Sequence, residues 1–287
     1  MGLERENRLE KWTKLEDNLV TDLPGFLPGK IINNINFMGR ISESVKVLLI
    51  INILFFVGTM SLGMKAYDLF ALHYPQNENF EYWQLVTHMF MHGGVGHIFL
   101  NMFMLYMFGS HLEFSLGRQK FLFLYFSAGF GAAALQLLFI YIGYQNAYQT
   151  ILETGATPEQ IQNTLTMITS SGRYYPMEGV STEIIGELYT NYVSTMVGAS
   201  GAIFGVLAAF AVLYPNLPLF LMFIPVPIKA KYLIGAYFAL NVYSAITGTS
   251  IAGPSNTAYW AHIGGAVFGF FIMWYWKKNS FNKNRWY

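Results

Sequence analysis

The chain has 287 residues, and 54% of them are hydrophobic whereas only 11% are charged. Soluble domains carry about 25% charged residues, so the composition excludes an ordinary soluble domain. The chain has no cysteine, which excludes disulfide bonds, thiolate metal sites and a cysteine nucleophile. The formal net charge of +1 becomes informative only when it is divided among the loops.

The N-terminal segment, residues 1–44, is polar and charged and has no signal-peptide pattern. We expect it to be a cytosolic tail, so the first apolar helix has to act as the targeting segment. Further along, several apolar runs approach 20 residues, the length that crosses a bilayer core of about 30 Å. The composition therefore predicts one integral membrane domain, residues 45–276.

Six transmembrane helices are predicted within this all-α domain. In chain order they cover roughly residues 45–62, 95–114, 120–142, 200–214, 232–249 and 259–276. A long polar segment, residues 143–196, is predicted to be an outer loop insertion, and a basic cytosolic tail, residues 277–287, follows the last helix. The insertion is interpreted either as a small outer subdomain that screens substrates or as an inert addition. Within it, Thr157-Pro158-Glu159-Gln160 is typical of a helix start, because proline is favoured at the first helical position.

The cationic residues indicate which side of the membrane each loop faces. Placing the N-terminus in the cytosol puts fifteen of the seventeen Lys and Arg residues on the cytosolic side. Only Lys65 and Arg173 then lie outside. Because cytosolic loops carry an excess of Lys and Arg, six spans with both termini in the cytosol are predicted.

Polar residues occur on three helices at one predicted depth. Ser200 begins the fourth helix 15 residues before Pro215, which corresponds to about 22 Å of helix. His262 and His97 lie 15 and 16 residues from the cytosolic ends of the sixth and second helices. A fourth helix of this length is too short to span a core of about 30 Å. Its start is therefore predicted to lie in a pocket open to the outside, since irregular backbone at membrane depth lines a cavity or is buried in protein.

Ser200 and His262 are predicted to meet as a catalytic dyad. Small residues four apart let two membrane helices approach closely, and the fourth and sixth helices each carry such a pair: Gly201 with Gly205, and Gly265 with Gly269. An ordinary packing contact also explains the glycines and is compatible with the dyad. The imidazole would take the hydroxyl proton as the oxygen attacks. No carboxylate lies near His262 in sequence, so a dyad is favoured over a triad.

Donors for an oxyanion are predicted on two sides of Ser200. A residue that begins a helix has unpaired backbone N–H groups beside it. His97 and Asn101, one turn apart on the second helix, present side-chain donors on one face. The alternatives are an interhelical hydrogen bond for Asn101 and a structural polar contact for His97. His88 and His92 do not share one helical face with His97 and no carboxylate joins them, so neither a metal site nor a cofactor is expected.

Together these residues resemble the motifs of the rhomboid family of intramembrane serine proteases. The matching positions are His92, His97 and Asn101, the sequence Gly198-Ala199-Ser200-Gly201, and Ala261, His262, Gly265 and Gly269. The turn from Leu112-Glu113 to Leu116-Gly117-Arg118 is also similar. The resemblance covers about residues 45 to 276. It implies a rhomboid-like bundle of six transmembrane helices and hydrolysis of peptide bonds.

The resemblance also implies a role for each site residue. Ser200 would be the nucleophile and His262 the base. The oxyanion would be held by side chains and by the Ser200 N–H, with further residues in support: His97 and Asn101 as donors, and His92 and Gly198 as supporting residues. The segment between the first two helices would dip into the membrane. The fifth helix and residues 248–256 would gate substrate access.

Two positions depart from the family's pattern. Gln84, after Trp83, stands where the family commonly has arginine, which affects how that loop is anchored. Phe204 stands where the family commonly has tyrosine, and its ring can still stack on His262 without supplying the hydroxyl.

The sequence therefore predicts a serine endopeptidase that cleaves transmembrane segments of other membrane proteins near their outer end. Its expected partners are those substrates and the lipid bilayer, with no nucleic acid. We expect a multi-pass protein of the bacterial plasma membrane. The alternative from another class is a non-catalytic binder of the same fold, disfavoured because the chain keeps both Ser200 and His262. A channel or transporter is disfavoured because neither inverted repeats nor paired broken helices occur.

Overall fold

The computed structural model describes residues 40–221, 224–251, 253–254 and 257–283. Most of the predicted N-terminal tail, three residues of the predicted gating segment and the last four residues of the basic tail lie outside these ranges. The helices in chain order are α1 (Glu43–Leu62), α2 (Met64–Phe70), α3 (Gln84–Thr87), α4 (Val95–Met104), α5 (Ser110–Leu116), α6 (Arg118–Glu153), α7 (Pro158–Ser171), α8 (Thr182–Tyr192), α9 (Ser200–Leu213), α10 (Ala230–Thr247) and α11 (Tyr259–Lys283). Two antiparallel strand pairs accompany them: β1 (Leu72–His73) with β2 (Thr195–Met196), and β3 (Pro218–Leu221) with β4 (Ile224–Lys229).

A helix lies at each of the six predicted positions, with three differences in extent. The last helix, α11, runs to Lys283, beyond the predicted end at Trp276 and into the predicted basic tail. The second predicted helix consists of α4 and α5, joined by a π-helical turn at Leu105–Gly109. The third, α6, runs to Glu153, well beyond the predicted end at Ile142. Its C-terminal part stays helical because Tyr144 and Ile151 are buried in a second apolar core on one face of the helix.

The segment predicted to be an outer loop insertion is largely helical. The segment begins with the end of α6 and then contains α7 and α8. Helix α7 begins with the expected start signal: the Thr157 hydroxyl accepts from the Gln160 N–H, and the Gln160 side chain accepts from the Thr157 N–H. Buried Ile161, Leu165 and Leu188 pack these helices against α6. The insertion therefore has an apolar core of its own.

Helices α9 and α11 touch backbone to backbone, as the glycine spacing predicts. A Cβ atom added at Gly265 would lie 1.9 Å from the Gly201 carbonyl oxygen, and one at Gly269 would lie 2.2 Å from the Gly205 carbonyl oxygen. No larger residue fits at either position without moving a backbone. We call these four residues the glycine seam. Helix α6 packs against the same place, because a Cβ at Gly201 would lie 2.4 Å from the Ala132 Cβ.

The segment between α1 and α4 is held together by the buried side chain of Gln84. Its Oε1 accepts from the backbone N–H groups of His73 and Glu81 at 3.3 and 3.1 Å. Its Nε2 donates to the carbonyl oxygens of Asp68 and Asn79 at 3.1 and 2.7 Å. This glutamine uses its full hydrogen-bonding capacity on the backbone of the segment. The segment is thus anchored to its own backbone where the family commonly has arginine.

The same segment is joined to the chain that leads into α9. Strand β1 pairs with β2, four residues before Ser200. The Asn77 amide donates to the Tyr192 carbonyl oxygen at 2.9 Å, and the Gly198 N–H donates to the His88 carbonyl oxygen at 2.9 Å. The approach to Ser200 is therefore fixed by contacts with this one segment.

Glu113, in α5, caps the start of α1. Its carboxylate accepts from the backbone N–H groups of Ser44 and Val45 at 3.0 and 3.1 Å, and from the Ser42 hydroxyl. The first backbone N–H groups of a helix lack intrahelical partners and favour a negative charge nearby. This contact ties the beginning of the first predicted membrane helix to the end of the second.

Among the described residues, α1 and α6 are long and apolar enough to cross a membrane. Helix α1 exposes large apolar side chains, including Leu54 (64% exposed) and Met60 (71% exposed), as a lipid-facing helix does. Helix α9 is apolar but only 14 residues long. The count of six spans and the orientation of the termini stay predictions.

Candidate active site

Ser200 is placed by a glycine that no other residue can replace without strain. Gly198 has a φ of 126°, a region that side-chain-bearing residues rarely adopt. A Cβ there would also lie 2.9 Å from His97 Nε2. The chain turns sharply at this glycine and α9 begins two residues later, at Ser200 itself. The Ser200 N–H is therefore one of the helix-start donors that have no partner within the helix.

The side chains of Ser200 and His262 are in contact. Ser200 Oγ lies 2.9 Å from His262 Nε2. The glycine seam makes this possible, because it lets the backbones of α9 and α11 touch. His262 is buried and lies in the first turn of α11, whereas Ser200 is half-buried at the start of α9. The two residues that the motifs single out are thus brought within hydrogen-bonding distance.

Asn241 is a third member of this contact, and sequence reasoning missed it. Its Oδ1 lies 2.7 Å from His262 Nδ1, and its Nδ2 donates to the Tyr237 carbonyl oxygen at 2.8 Å. The sequence held one usable signal, an asparagine inside the apolar stretch of α10. Strongly polar residues within membrane segments commonly have a functional partner.

Phe204 stacks on the imidazole of His262. The ring centroids are 4.1 Å apart and the ring planes differ by 11°. Phe204 also contacts the ring of Tyr237, with 5.1 Å between centroids. The stacking expected from the sequence is therefore present without a tyrosine hydroxyl. The stacked Phe204 ring limits movement of the imidazole perpendicular to its plane, and the contact with Asn241 limits its rotation within that plane.

His97 faces the same place from α4. Its Nδ1 lies 3.3 Å from the Gly93 N–H and accepts a hydrogen bond from it. A neutral imidazole that accepts at Nδ1 carries its proton on Nε2. That Nε2 and the neighbouring Cε1 are the two atoms against which a Cβ at Gly198 would collide. An N–H donor thus points at the turn that precedes Ser200.

The remaining two predicted site residues, Asn101 and His92, lie near His97. Asn101 is buried in α4, and its Nδ2 has no hydrogen-bond partner in the part of the chain that the structure describes. His92 is buried and packs edge-on against His97, with 5.0 Å between ring centroids. His97 lines the cavity next to Ser200, whereas Asn101 and His92 are not among the described lining residues.

A cavity of about 330 Å³ lies beside Ser200. Small residues from α6, α9 and α11 form much of its wall, among them Gly129, Ala132, Ala202 and Ala261. His97 and Ser200 line it as well. Polar side chains such as these, converging on a concave site, are a common feature of catalytic centres.

Comparison with known families agrees with this geometry. Residues 79–279, well over half of the chain, match the Rhomboid domain. The chain belongs to the rhomboid family. Rhomboid proteins are embedded in membranes, and the family is generally one of serine proteases.

Two curated relatives are rhomboid proteins of eukaryotes. An uncharacterized mitochondrial rhomboid protein of Schizosaccharomyces pombe is 26% identical over 214 residues, which cover 69% of this chain and 53% of that protein. RHOMBOID-like protein 6, mitochondrial, of Arabidopsis thaliana is 38% identical over 60 residues, which cover 21% of this chain and 20% of that protein. The matches thus span about half of the first relative and a fifth of the second. Because both names are mitochondrial, the expected bacterial plasma membrane is not supported.

Proposed function

We propose that this rhomboid protein is an intramembrane serine endopeptidase that cleaves transmembrane segments of membrane proteins near their outer end. The observation that carries the proposal is the contact of 2.9 Å between Ser200 Oγ and His262 Nε2. Within a helix a structural hydroxyl commonly bonds to a carbonyl of the preceding turn, as Thr59 does with Phe55 at 2.9 Å, but Ser200 is the first residue of α9 and has no preceding turn. The Ser200 hydroxyl instead meets an imidazole beside a cavity.

In the proposed reaction Ser200 Oγ attacks the carbonyl carbon of the scissile peptide bond. His262 Nε2 accepts the hydroxyl proton as the new C–O bond forms and the carbonyl electron pair moves to oxygen. The protonated imidazole then donates that proton to the leaving amine, and an acyl-enzyme remains on Ser200. A water molecule, deprotonated by His262, attacks the ester and releases the second product.

The developing oxyanion is proposed to accept from His97 and from the backbone N–H of Ser200. The His97 Nε2–H is directed at the Gly198 turn, and the start of α9 supplies the unpaired N–H groups. Donors fixed before the reaction stabilise the transition state by roughly 3 kcal/mol each. Asn101 has a buried amide nitrogen available as a further donor, and His92 supports His97 from behind.

The substrate has to expose a backbone carbonyl that is normally hydrogen-bonded within a helix. Breaking such bonds in lipid is prohibitive, so the unwound segment has to enter a polar cavity. The cavity beside Ser200 is polar in part, and its small wall residues leave room for a small side chain next to the cut. Segments weakened by glycine or proline, with a small residue before the cleaved bond, are the proposed substrates.

The proposed topology is a bundle of six spans with both termini in the cytosol. The absence of cysteine from the chain makes this directly testable. A single cysteine at Lys65 should react with an impermeant maleimide added from outside, and one at Lys120 should react only after the membrane is opened. The reverse pattern would invert the orientation.

The activity itself is tested with the purified protein in detergent and a labelled transmembrane substrate. The unchanged chain should cleave the substrate, whereas Ser200→Ala and His262→Ala should not. Ser61→Ala is the matched control, because Ser61 is an exposed serine of α1 that bonds to the Val57 carbonyl oxygen. Cleavage that persists in Ser200→Ala would refute the proposal. Substrate capture without any product from the unchanged chain would favour the non-catalytic binder.

A further inference from the structure

We infer that Asn241 is a positioning residue that holds His262 in the tautomer required of the base. This inference rests on the proposed function and concerns the same site. Asn241 lies on α10, a helix that carries neither Ser200 nor His262, and its side chain is completely buried. Its Oδ1 is 2.7 Å from His262 Nδ1, on the side of the imidazole opposite Ser200.

The orientation of the Asn241 amide follows from its second contact. Its Nδ2 lies 2.8 Å from the Tyr237 carbonyl oxygen, which can only accept. Turning the amide over would place its oxygen against that carbonyl oxygen, two acceptors without a proton between them. The nitrogen therefore faces Tyr237, and the oxygen faces His262.

This orientation determines where the proton on His262 sits. Because Asn241 Oδ1 can only accept, His262 Nδ1 has to carry the proton and donate it. A neutral imidazole has one N–H, so Nε2 is left with its lone pair directed at Ser200 Oγ. In the other tautomer Nε2 would carry the proton and could not accept the one from Ser200. During the reaction the same oxygen keeps its bond to Nδ1 while the imidazole is charged.

Asn52 shows what a buried asparagine with only a structural role looks like in this fold, so it can be compared with Asn241. Asn52 is also completely buried in an apolar helix, and its Nδ2 donates to the carbonyl oxygen four residues earlier, that of Leu48, at 2.7 Å. Asn241 makes the same backbone bond to Tyr237 but adds the contact with His262. Asn52→Leu and Asn241→Leu thus remove the same local bond, and only Asn241→Leu touches the dyad.

The first measurement is the rate at which a fluorophosphonate probe labels Ser200 in the purified full-length protein. An imidazole N–H left without an acceptor in a buried site should slow the labelling of Asn241→Leu by about 10- to 100-fold. Asn241→Asp keeps an oxygen acceptor for His262 Nδ1 but sets its second oxygen against the Tyr237 carbonyl oxygen, so it should label faster than Asn241→Leu and more slowly than the unchanged chain. Asn52→Leu should label at the unchanged rate. Equal labelling rates in Asn241→Leu and the unchanged chain would overturn the inference.

The second measurement does not depend on any variant at position 241 folding. Nitrogen-15 NMR of histidine-labelled protein reports which ring nitrogen carries the proton, and the His262 signals are assigned by their loss in His262→Ala. The unchanged chain should show His262 protonated on Nδ1 and bare on Nε2. A proton on Nε2 in the neutral imidazole would overturn the inference. If the unchanged chain neither labels nor cleaves, the proposed function fails, whereas the tautomer is still decided by this measurement.

Discussion

A methyl group at Gly265 should separate the two halves of the dyad. A Cβ at this position would lie 1.9 Å from the Gly201 carbonyl oxygen, whereas non-bonded carbon needs about 3.5 Å. In Gly265→Ala the backbones of α9 and α11 therefore have to move apart by roughly 1.5 Å. The Ser200–His262 contact is 2.9 Å, so even half of that movement takes it beyond hydrogen-bonding distance. Misplacement by about 1 Å can cost roughly 100-fold in rate, and overpacking costs about 1–3 kcal/mol in stability.

The assay compares probe labelling of Ser200, substrate cleavage and the midpoint of thermal unfolding in the same preparations. Gly58→Ala is the matched control, because Gly58 lies within α1 and a Cβ there would meet nothing within 4 Å. Alanine is favoured over glycine inside a helix by about 0.5–1 kcal/mol, so the control should be slightly more stable and fully active. A Gly265→Ala protein that labels and cleaves at the unchanged rate would show that the dyad does not depend on the glycine seam.

Three further predictions concern the surroundings of the dyad. Gln84→Leu should lower the free energy of unfolding by about 2–4 kcal/mol, measured by thermal unfolding, because four backbone groups lose their partner; an unchanged midpoint would contradict this. Phe204→Tyr should keep its activity, since a cavity of about 600 Å³ lies beside the ring and can hold the added hydroxyl. Phe204→Ala should lose about 3–5 kcal/mol of stability and most of the cleavage, because the ring that stacks on His262 is removed. Equal cleavage by Phe204→Ala and the unchanged chain would refute a role for the stacking. Burial lowers the pKa of His88 in the folded chain to about 4. Between about pH 6.5 and pH 4 the unfolded chain therefore binds more protons than the folded chain. The free energy of unfolding should fall as the pH drops through this range. His88→Gln should flatten that part of the stability curve, and an equally steep curve would count against this assignment.

The contact between Ser200 and His262 was predictable because helix geometry is regular. A rise of 1.5 Å per residue places both side chains at one depth, and glycines four apart leave few ways to pack the two helices. The short segment from Gly198 to Ser200 adds a turn that only glycine accommodates. The catalytic roles of these residues stay proposals, but their proximity follows from spacing alone.

The contact of Asn241 was not predictable in the same way. Its partner His262 lies 21 residues away on another helix, and the rotation of α10 about its own axis decides whether they meet. Of the helices in the insertion, only the start of α7 was predicted, because their polar faces resemble a loop in composition. Their signal was the spacing of Ile161, Leu165 and Ile168, which lie on one face of a helix and are all buried.

The insertion is joined to the chain that leads to Ser200 by packing and by hydrogen bonds. Its core is built on the C-terminal part of α6, and the middle of the same helix packs against the glycine seam through Ala132. Its last helix, α8, ends at Tyr192, whose carbonyl oxygen holds Asn77. Strand β2 follows at once and pairs with β1, and Gly198 then bonds to His88. The chain thus leaves the insertion with three consecutive contacts to the segment between α1 and α4 before it reaches Ser200. Both alternatives for the insertion, a subdomain that screens substrates and an inert addition, stay predictions. In either case a shift of α8 is expected to move the turn at Gly198 that precedes Ser200, because these contacts couple the two.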